Sequence, residues 1–266
     1  MDIQALTSPF FSYLVGLLQT DGSHEGDLTH KGRLQIELAE CDRGLLDEIA
    51  TALPWNASVT TRARATNFSQ GEYRTATLRF YAQEARSFFH EAGVPIGRKS
   101  TIAAPPRHDF SAPDYVRGLL DGDGSLGFTG KGYPFVSFTT ASPALADYLC
   151  SIIRAVCDVE RAARPNTRDG VRNIMVTSVA AKKLATWAYH DGSLALERKR
   201  RKAAAIAAWT PPSTRYGVKK RAWTPEQDAV VLANPPAVAA ALLNRSGKSI
   251  DARRWRLKNA GAGAAP

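Results

Sequence analysis

The sequence is short of cysteine and of long apolar runs, and each shortage excludes a class of protein. The 266 residues include three cysteines, Cys41, Cys150 and Cys157, and none of them forms a Cys-x-x-Cys pair. A disulfide framework and a zinc ribbon are therefore not expected. The longest early apolar stretch, residues 10–18, is shorter than the roughly 20 residues that a membrane span needs. We expect a cytoplasmic, intracellular protein without a membrane segment.

Acidic residues are outnumbered by basic ones. The chain has 25 aspartate and glutamate residues against 35 lysine and arginine residues, which gives a formal net charge of +10. A basic balance of this size indicates a polyanionic partner, most often nucleic acid, although a soluble basic protein without such a partner has the same composition. Hydrophobic residues make up 44% of the chain, which is enough for a sizeable buried core.

Two similar nine-residue strings lie 102 residues apart. Residues 14–22 read Leu-Val-Gly-Leu-Leu-Gln-Thr-Asp-Gly, and residues 116–124 read Val-Arg-Gly-Leu-Leu-Asp-Gly-Asp-Gly. Each string begins the same order of apolar patterns, helix, strand, strand, helix, strand, strand, helix, with an Arg-Lys pair near the end of both series. The repeat predicts an α+β protein with two pseudo-symmetric halves, residues 1–102 and 103–210.

Small residues in the two strings predict a close crossing of two helices. Gly16 and Gly118 carry no side chain, so two helix backbones can approach there, and the lower helix ends would bring Asp21 and Asp123 together. A single Asp-Gly pair is more simply a turn that ends a helix, but two copies on matched helices favour a paired site. Paired carboxylates repel one another unless positive charge lies between them, and hard divalent cations take carboxylate and phosphate oxygens.

Both strings resemble the LAGLIDADG motif of homing endonucleases, in the single-chain form with two motifs, and the resemblance covers residues 9–202. It implies an αββαββα unit in each half, whose four antiparallel strands form a curved saddle for DNA. In the second half, the third and fourth strands are expected near residues 159–164 and 171–178, since both segments have strand-like patterns.

The resemblance also implies a chemical site between the two motif ends. It implies two or three divalent ions, Mg²⁺ or Mn²⁺, between the two aspartates, with basic residues near the scissile phosphates. The implied catalytic and metal-binding groups are the carboxylates of Asp21 and Asp123, the backbone carbonyls of Thr20 and Gly122, and the side chains of Lys99 and Lys199.

Polar residues that alternate with apolar ones on the strands are candidates for contact with DNA. Arginine and other polar side chains on a two-stranded ribbon suit readout of the major groove, although a solvated outer sheet face has a similar sequence. The candidates on the strands are Arg62, Arg64, Tyr73, Thr75, Thr77, Arg79, Arg164, Asn166 and Asn173. Arg198 begins a basic run, residues 198–202, that suits either a phosphate contact or a solvated helix end.

The C-terminal part of the chain predicts a third, all-helical module. After a Pro-rich basic linker, residues 211–222, residues 223–259 resemble a Myb/SANT-like helix-turn-helix, and residues 260–266 are expected to be a disordered tail. Trp223 and Trp255 are expected to pack its core. The third helix would read DNA, although a small module of this kind also suits a protein partner. The candidate contacts on that helix are Arg253, Arg254, Arg256 and Lys258.

The sequence as a whole predicts a site-specific homing endonuclease. It would make a staggered double-strand break by metal-dependent hydrolysis of phosphodiester bonds, act as a monomer on double-stranded DNA with a long target site, and belong to a host cell that carries a mobile intron or similar element. The alternative is a catalytically silent LAGLIDADG protein that binds DNA or RNA, such as an intron maturase or a transcription regulator. The presence of both Asp21 and Asp123 favours the nuclease.

Overall fold

The computed structural model describes residues 1–65, 72–211 and 223–259, without the side chains of residues 64, 65, 72 and 73. The chain divides into two compact units, Met1–Pro211 and Pro212–Pro266. Apart from residue 211, the predicted linker and the predicted tail lie outside the described residues. None of the helices within the described ranges has both the length and the apolar character that a membrane crossing requires.

The two repeated strings form the central helices of the first unit. Helix α1 spans Pro9–Thr20 and helix α4 spans Ala112–Asp123. Each begins with a serine as the N-cap and a proline in the first turn, which is the arrangement that favours a helix start. Residues 11–19 of α1 are all buried. A helix that is buried on every side belongs in the middle of a core rather than on its surface.

Two glycines allow these helices to touch backbone to backbone. A Cβ atom on Gly16 would lie 2.9 Å from the backbone nitrogen of Leu119, and closer still to the carbonyl oxygen of Tyr115. A Cβ atom on Gly118 would meet the backbone of α1 in the same way. Any side chain at either position would therefore push the two helices apart.

The first half places a four-stranded antiparallel sheet against α1, in the order β1-β2-β4-β3. Its elements are β1 (Gly22–Gly26), β2 (Gly32–Ala39), α2 (Arg43–Ala52), β3 (Ala57–Ala65), β4 (Glu72–Phe80) and α3 (Gln83–Glu91). Alternation along the strands gives this sheet one apolar face: Ile36 on β2 lies opposite Leu78 on β4, and both are fully buried. The α+β class and the predicted order of elements in this half are confirmed.

The second half has a three-stranded antiparallel sheet within the described residues, in the order β5-β6-β7. Its elements after α4 are β5 (Gly124–Phe128), β6 (Pro134–Thr140), α5 (Pro143–Cys157), β7 (Arg172–Thr177), α6 (Ser178–Ala188) and α7 (Glu197–Ala208). As in the first half, the buried residues of the middle strand, Val136 and Phe138, alternate with more exposed ones.

The strand predicted at residues 159–164 is not formed, so that prediction was wrong. Residues 159–164 form no ladder with β7, and the one backbone bridge that follows them, between Pro165 and Arg172, is isolated. Proline has no backbone N–H to give to a ladder. The guanidinium of Arg161 donates to the carbonyl of Met175 at 3.0 Å, so a side chain takes a position that a fourth strand would use.

The C-terminal unit contains three short helices, α8 (Pro225–Ala233), α9 (Pro236–Leu243) and α10 (Gly247–Asn259). Its small core consists of Val231, Ala239 and Ile250, against which Trp223 packs. The prediction that Trp255 also packs this core was wrong, because its side chain is 68% exposed. Trp255 follows Ile250 by five residues, which places the two on different sides of a helix with 3.6 residues per turn.

We expect Gly16→Ala to destabilise the protein severely, because the added methyl group would meet the backbone of α4. The free energy of unfolding, measured by urea denaturation, should fall by about 2 kcal/mol or more. Gly44→Ala is the matched control, since Gly44 is exposed on α2 and a Cβ atom there meets nothing within 4 Å. It should leave stability unchanged or raise it by about 0.5 kcal/mol. Equal effects of the two substitutions would contradict the close crossing.

Candidate functional site

The crossing of α1 and α4 brings two acidic residues together at the lower ends of the helices. Asp21 is the C-cap of α1, and Asp123 is the last residue of α4. The two ends touch: a Cβ atom on Gly122 would overlap the side chain of Thr20. The site is therefore built from equivalent positions of the two halves.

Each of the two carboxyl groups resists ionisation. Burial and, to a lesser extent, the charge of Asp123 together raise the pKa of Asp21 to about 6, against the opposing effect of nearby lysines. Burial also raises the pKa of Asp123, again opposed by Lys99 and Lys199. Both effects mean that additional positive charge at this point would favour the ionised carboxylates.

Lys99 caps the end of α1. Its Nζ donates to the carbonyl oxygens of Leu18 at 2.6 Å and Thr20 at 2.7 Å, and also to that of Gly22. The last carbonyls of a helix have no partner within the helix and carry partial negative charge, so an ammonium group is favourable there. The lysine therefore holds the chain in the turn that contains Asp21.

Lys199 does the same at the end of α4. Its Nζ donates to the carbonyl oxygens of Leu120 at 2.6 Å, Asp121 at 2.5 Å, Gly122 at 3.2 Å and Gly124 at 3.0 Å. Burial lowers the pKa of both Lys99 and Lys199 to about 8, although neighbouring carboxylates favour their charged forms. The predicted catalytic lysines thus lie beside the predicted catalytic aspartates.

The oxygen atoms at this point suit a divalent cation that prefers oxygen ligands, such as Mg²⁺. Within the described residues, no three or more His, Cys, Asp or Glu side chains form a group that could hold a metal. A cation here would therefore need backbone oxygens in addition to Asp21 and Asp123. The carbonyls of Thr20 and Gly122 already accept a bond from lysine, but a carbonyl oxygen has a second lone pair that can still act as a ligand.

The first sheet presents a polar face on the side opposite its buried residues. Thr77 on β4 donates to Glu37 at 3.3 Å, and Arg79 donates to Gln35 at 3.3 Å and Thr60 at 2.9 Å. The register places the candidates Arg62, Thr75, Thr77 and Arg79 on this face. Arg62 is exposed and Arg79 is half-buried, whereas Thr75 and Thr77 are buried. The side chains of Arg64 and Tyr73 lie outside the described residues.

The candidates of the second half are more dispersed. Asn173 on β7 is exposed and donates to Thr139 at 2.9 Å on the polar face of the sheet. Asn166 instead stabilises a turn, since its side chain accepts bonds from two backbone N–H groups. Arg164 is exposed on the segment that forms no strand. Arg198 is paired at 2.9 Å with Asp42, a buried carboxylate of the first half.

The four candidates of the last helix divide into two kinds. Arg253 forms two bonds, at 2.7 and 2.6 Å, with Asp228 on α8. Arg254 donates to backbone carbonyls at the end of α8. Both therefore hold the unit together, while Arg256 and Lys258 are exposed.

Sequence reasoning missed a pair of buried tyrosines at the crossing. Tyr13 and Tyr115 are fully buried and, like the two motif strings, lie 102 residues apart. Extending the comparison of the two strings by one residue toward the N-terminus would have found them. Each donates a hydrogen bond to the opposite motif helix, to Asp121 and Gln19 respectively.

No protein-family model matches the sequence, and no curated protein matches it. Among solved structures, the homing endonuclease I-WcaI bound to its DNA recognition sequence has a TM-score of 0.52 at 10% identity, over 74% of this chain and 87% of that one. I-SmaMI bound to an uncleaved DNA target in the presence of calcium ions has a TM-score of 0.48 at 13% identity, over 72% and 87% of the two chains. The I-LtrWI LAGLIDADG homing endonuclease bound to target DNA has a TM-score of 0.46 at 11% identity, over 77% and 89%. The similarity is one of fold.

We expect Asp21→Asn to stabilise the metal-free protein at neutral pH. Asp21 is ionised near pH 7.5 although burial and Asp123 oppose its charge, so the amide should raise the Tm by about 3 °C in EDTA. Below its pKa of about 6 the wild-type carboxyl is protonated in the folded state, and the gain should shrink toward pH 5. Thermal melts at several pH values test this. A Tm difference that does not change with pH would contradict the assigned cause.

Proposed function

We propose that the protein is a LAGLIDADG homing endonuclease that cuts both strands of a specific double-stranded DNA site and acts as a monomer. The observation that carries this proposal is the meeting of Asp21 and Asp123, each with a lysine beside it, at the ends of two glycine-packed helices. A single chain supplies both acidic residues, so no second subunit is needed to complete the site. The fold shared with I-WcaI, which was solved bound to its DNA recognition sequence, supports the same conclusion.

The polar faces of the two sheets are the surfaces we propose for the duplex. The first carries Arg62 and Arg79 among neutral and acidic side chains, and the second carries Asn173. Arginine and amide side chains are well suited to the edges of guanine and adenine in the major groove. The net charge of +10 adds affinity that does not depend on sequence.

Asp21 and Asp123 would hold the divalent cations, Mg²⁺ or Mn²⁺, together with the carbonyls of Thr20 and Gly122. When bound, such cations stabilise the attacking and leaving oxygens of phosphodiester hydrolysis. Lys99 and Lys199 keep the carbonyls and the adjoining carboxylates in place through their bonds to the helix ends. Their positive charges also reduce the repulsion between the two carboxylates and the incoming phosphates.

The C-terminal unit would extend the contact to flanking DNA, in the manner of a Myb/SANT-like module. Arg256 and Lys258 are its available cationic side chains among the four predicted contacts, because Arg253 and Arg254 are bound within the unit. They are suited to phosphate contacts, which fix position on the duplex without reading its sequence.

A second function, sequence-specific binding without cleavage, is favoured by one observation. The carbonyls of Thr20 and Gly122 already accept bonds from Lys99 and Lys199, so the site is partly neutralised by the protein itself. A silent LAGLIDADG protein, such as an intron maturase or a transcription regulator, would use the same polar faces. The two functions differ in whether divalent cations produce cut DNA.

Cleavage selection on a randomised duplex library, with Mg²⁺ or Mn²⁺, decides between them. The wild-type protein should enrich one target and leave staggered ends. Asp21→Asn and Asp123→Asn should each abolish double-strand cleavage of that target while binding stays within about threefold, because the carboxylates serve hydrolysis rather than recognition. Binding without a cut product under any divalent cation would refute the nuclease and leave the silent binder.

The double variant Arg256→Ala/Lys258→Ala should weaken binding to the selected target plus flanking sequence. If each residue contacts one phosphate, the slope of log K against log salt should fall by about 2. Deleting residues 212–266 should shorten the nuclease-protection footprint. At saturating protein the cut position should stay the same in both variants. Protection identical to that of the full chain would show that the C-terminal unit does not contact DNA.

A further inference from the structure

A buried carboxylate next to the site collects three hydrogen bonds from different parts of the first unit. Asp121 is fully buried on α4. One of its oxygens accepts from the hydroxyl of Tyr13 on α1 and from the backbone N–H of Leu196, both at 2.8 Å. The other accepts from the hydroxyl of Tyr189 at 2.7 Å. All three partners donate here, and a carboxylate, which has two acceptor oxygens and no donor, suits that arrangement.

A neutral residue holds the equivalent position in the first half, with the opposite hydrogen-bond polarity. Gln19 is buried on α1, and its amide nitrogen donates to the carbonyls of Gly93 at 2.7 Å and Ala104 at 2.8 Å. Its amide oxygen accepts from the hydroxyl of Tyr115 on α4 at 2.6 Å. Here two partners are carbonyl acceptors and one donates, an arrangement that suits a side-chain amide and not a carboxylate.

Each of these residues fixes the segment that carries the lysine of its own half. Leu196 is the N-cap of α7, and its carbonyl accepts from the backbone N–H of Lys199 at 2.9 Å. Gly93 and Ala104 lie on either side of Lys99 in the chain, and the backbone N–H of Ala103 donates to the carbonyl of Lys99 at 2.8 Å. Both lysines therefore reach their helix ends from segments anchored at position 19 or 121.

We infer that Gln19 and Asp121 are positioning residues, each of which sets the lysine of its own half over the end of its own motif helix. The inference rests on the proposed function, because it assigns one positioned lysine to the cutting of each DNA strand. The two residues are not interchangeable. A carboxylate at position 19 would face two carbonyl oxygens, and an amide at position 121 would offer one acceptor oxygen in place of two, with its N–H₂ group beside hydroxyls that donate in the wild-type protein. Substitution of one of these residues should therefore slow the cleavage of one DNA strand.

The test uses two variants that keep the size of the side chain, Gln19→Glu and Asp121→Asn. The rate of nicking is measured separately for each end-labelled strand of the target recovered by selection, under single-turnover conditions with Mg²⁺. Each variant should slow one strand by about tenfold or more and leave the other within about twofold. The two variants should slow opposite strands, because each residue serves one half.

Hydrogen exchange followed by mass spectrometry supplies a readout that needs no cleavage. Asp121→Asn should raise amide exchange in residues 193–200 and leave residues 93–104 unchanged, whereas Gln19→Glu should do the reverse. Asp147→Asn is the matched control, because it makes the same chemical change on an exposed face of α5. It should alter neither the nicking of either strand nor the exchange of either segment.

The outcomes separate positioning from general destabilisation. Equal slowing of both strands by both variants, or raised exchange in both segments, would overturn the inference and indicate a role in overall stability alone. Unchanged exchange in the two variants would overturn it as well. A wild-type protein that cuts no sequence would refute the proposed nuclease, while the exchange measurements would still decide whether residues 19 and 121 anchor the lysine segments.

Discussion

The close contact of two helix backbones is the constraint on which the rest of the first unit depends. Gly16 and Gly118 leave nothing between α1 and α4 at the crossing, so the helix ends are set by backbone atoms rather than by adjustable side chains. That contact fixes where Asp21 and Asp123 meet. It also fixes where the two sheets begin, because β1 and β5 start directly after the two helix ends. The crossing of α1 and α4 therefore sets the positions of the core, the two sheets and the candidate site.

At the ends of the two motif helices, two acidic and two basic side chains of the protein partly neutralise one another. Asp21 and Asp123 lie in a partly buried site, which raises the pKa of both carboxyl groups. Lys99 and Lys199 lie beside them and donate hydrogen bonds to the carbonyls at the helix ends. Each lysine has two effects: it donates hydrogen bonds to backbone oxygens, and its positive charge favours the ionised form of the neighbouring carboxylates. The arrangement joins the end of each motif helix to a segment about 80 residues further along the chain.

The sequence predicted what repeats and alternates, and it failed where the outcome depends on distant partners. The motif helices followed from the repeated string and its glycines, and three strands of the first sheet followed from alternation such as that around Ile36 and Leu78. The short strand β1 followed only from the expected order of elements. Residues 159–164 have a suitable local pattern, but the side chain of Arg161 takes the carbonyl of Met175 on β7, and Pro165 has no N–H with which a ladder could continue. The hydrogen bonds of Asp121 join residues far apart in the chain, so no local sequence pattern predicts them. Trp255 was assigned to a core that is too small to enclose it.

The same segment that fails to form a strand has a consequence for behaviour in solution. The free edge of a sheet offers unpaired backbone groups to any other strand, and such edges promote self-association and fibre growth. Along the outer edge of β7, the guanidinium of Arg161 donates a hydrogen bond to the carbonyl of Met175. Pro165 lies opposite Arg172 and has no backbone N–H to donate. A cationic side chain and a proline at this edge are the features by which natural sheets discourage aggregation. By this rule, the irregular connection between α5 and β7 would discourage the pairing of β7 with the same strand of another copy.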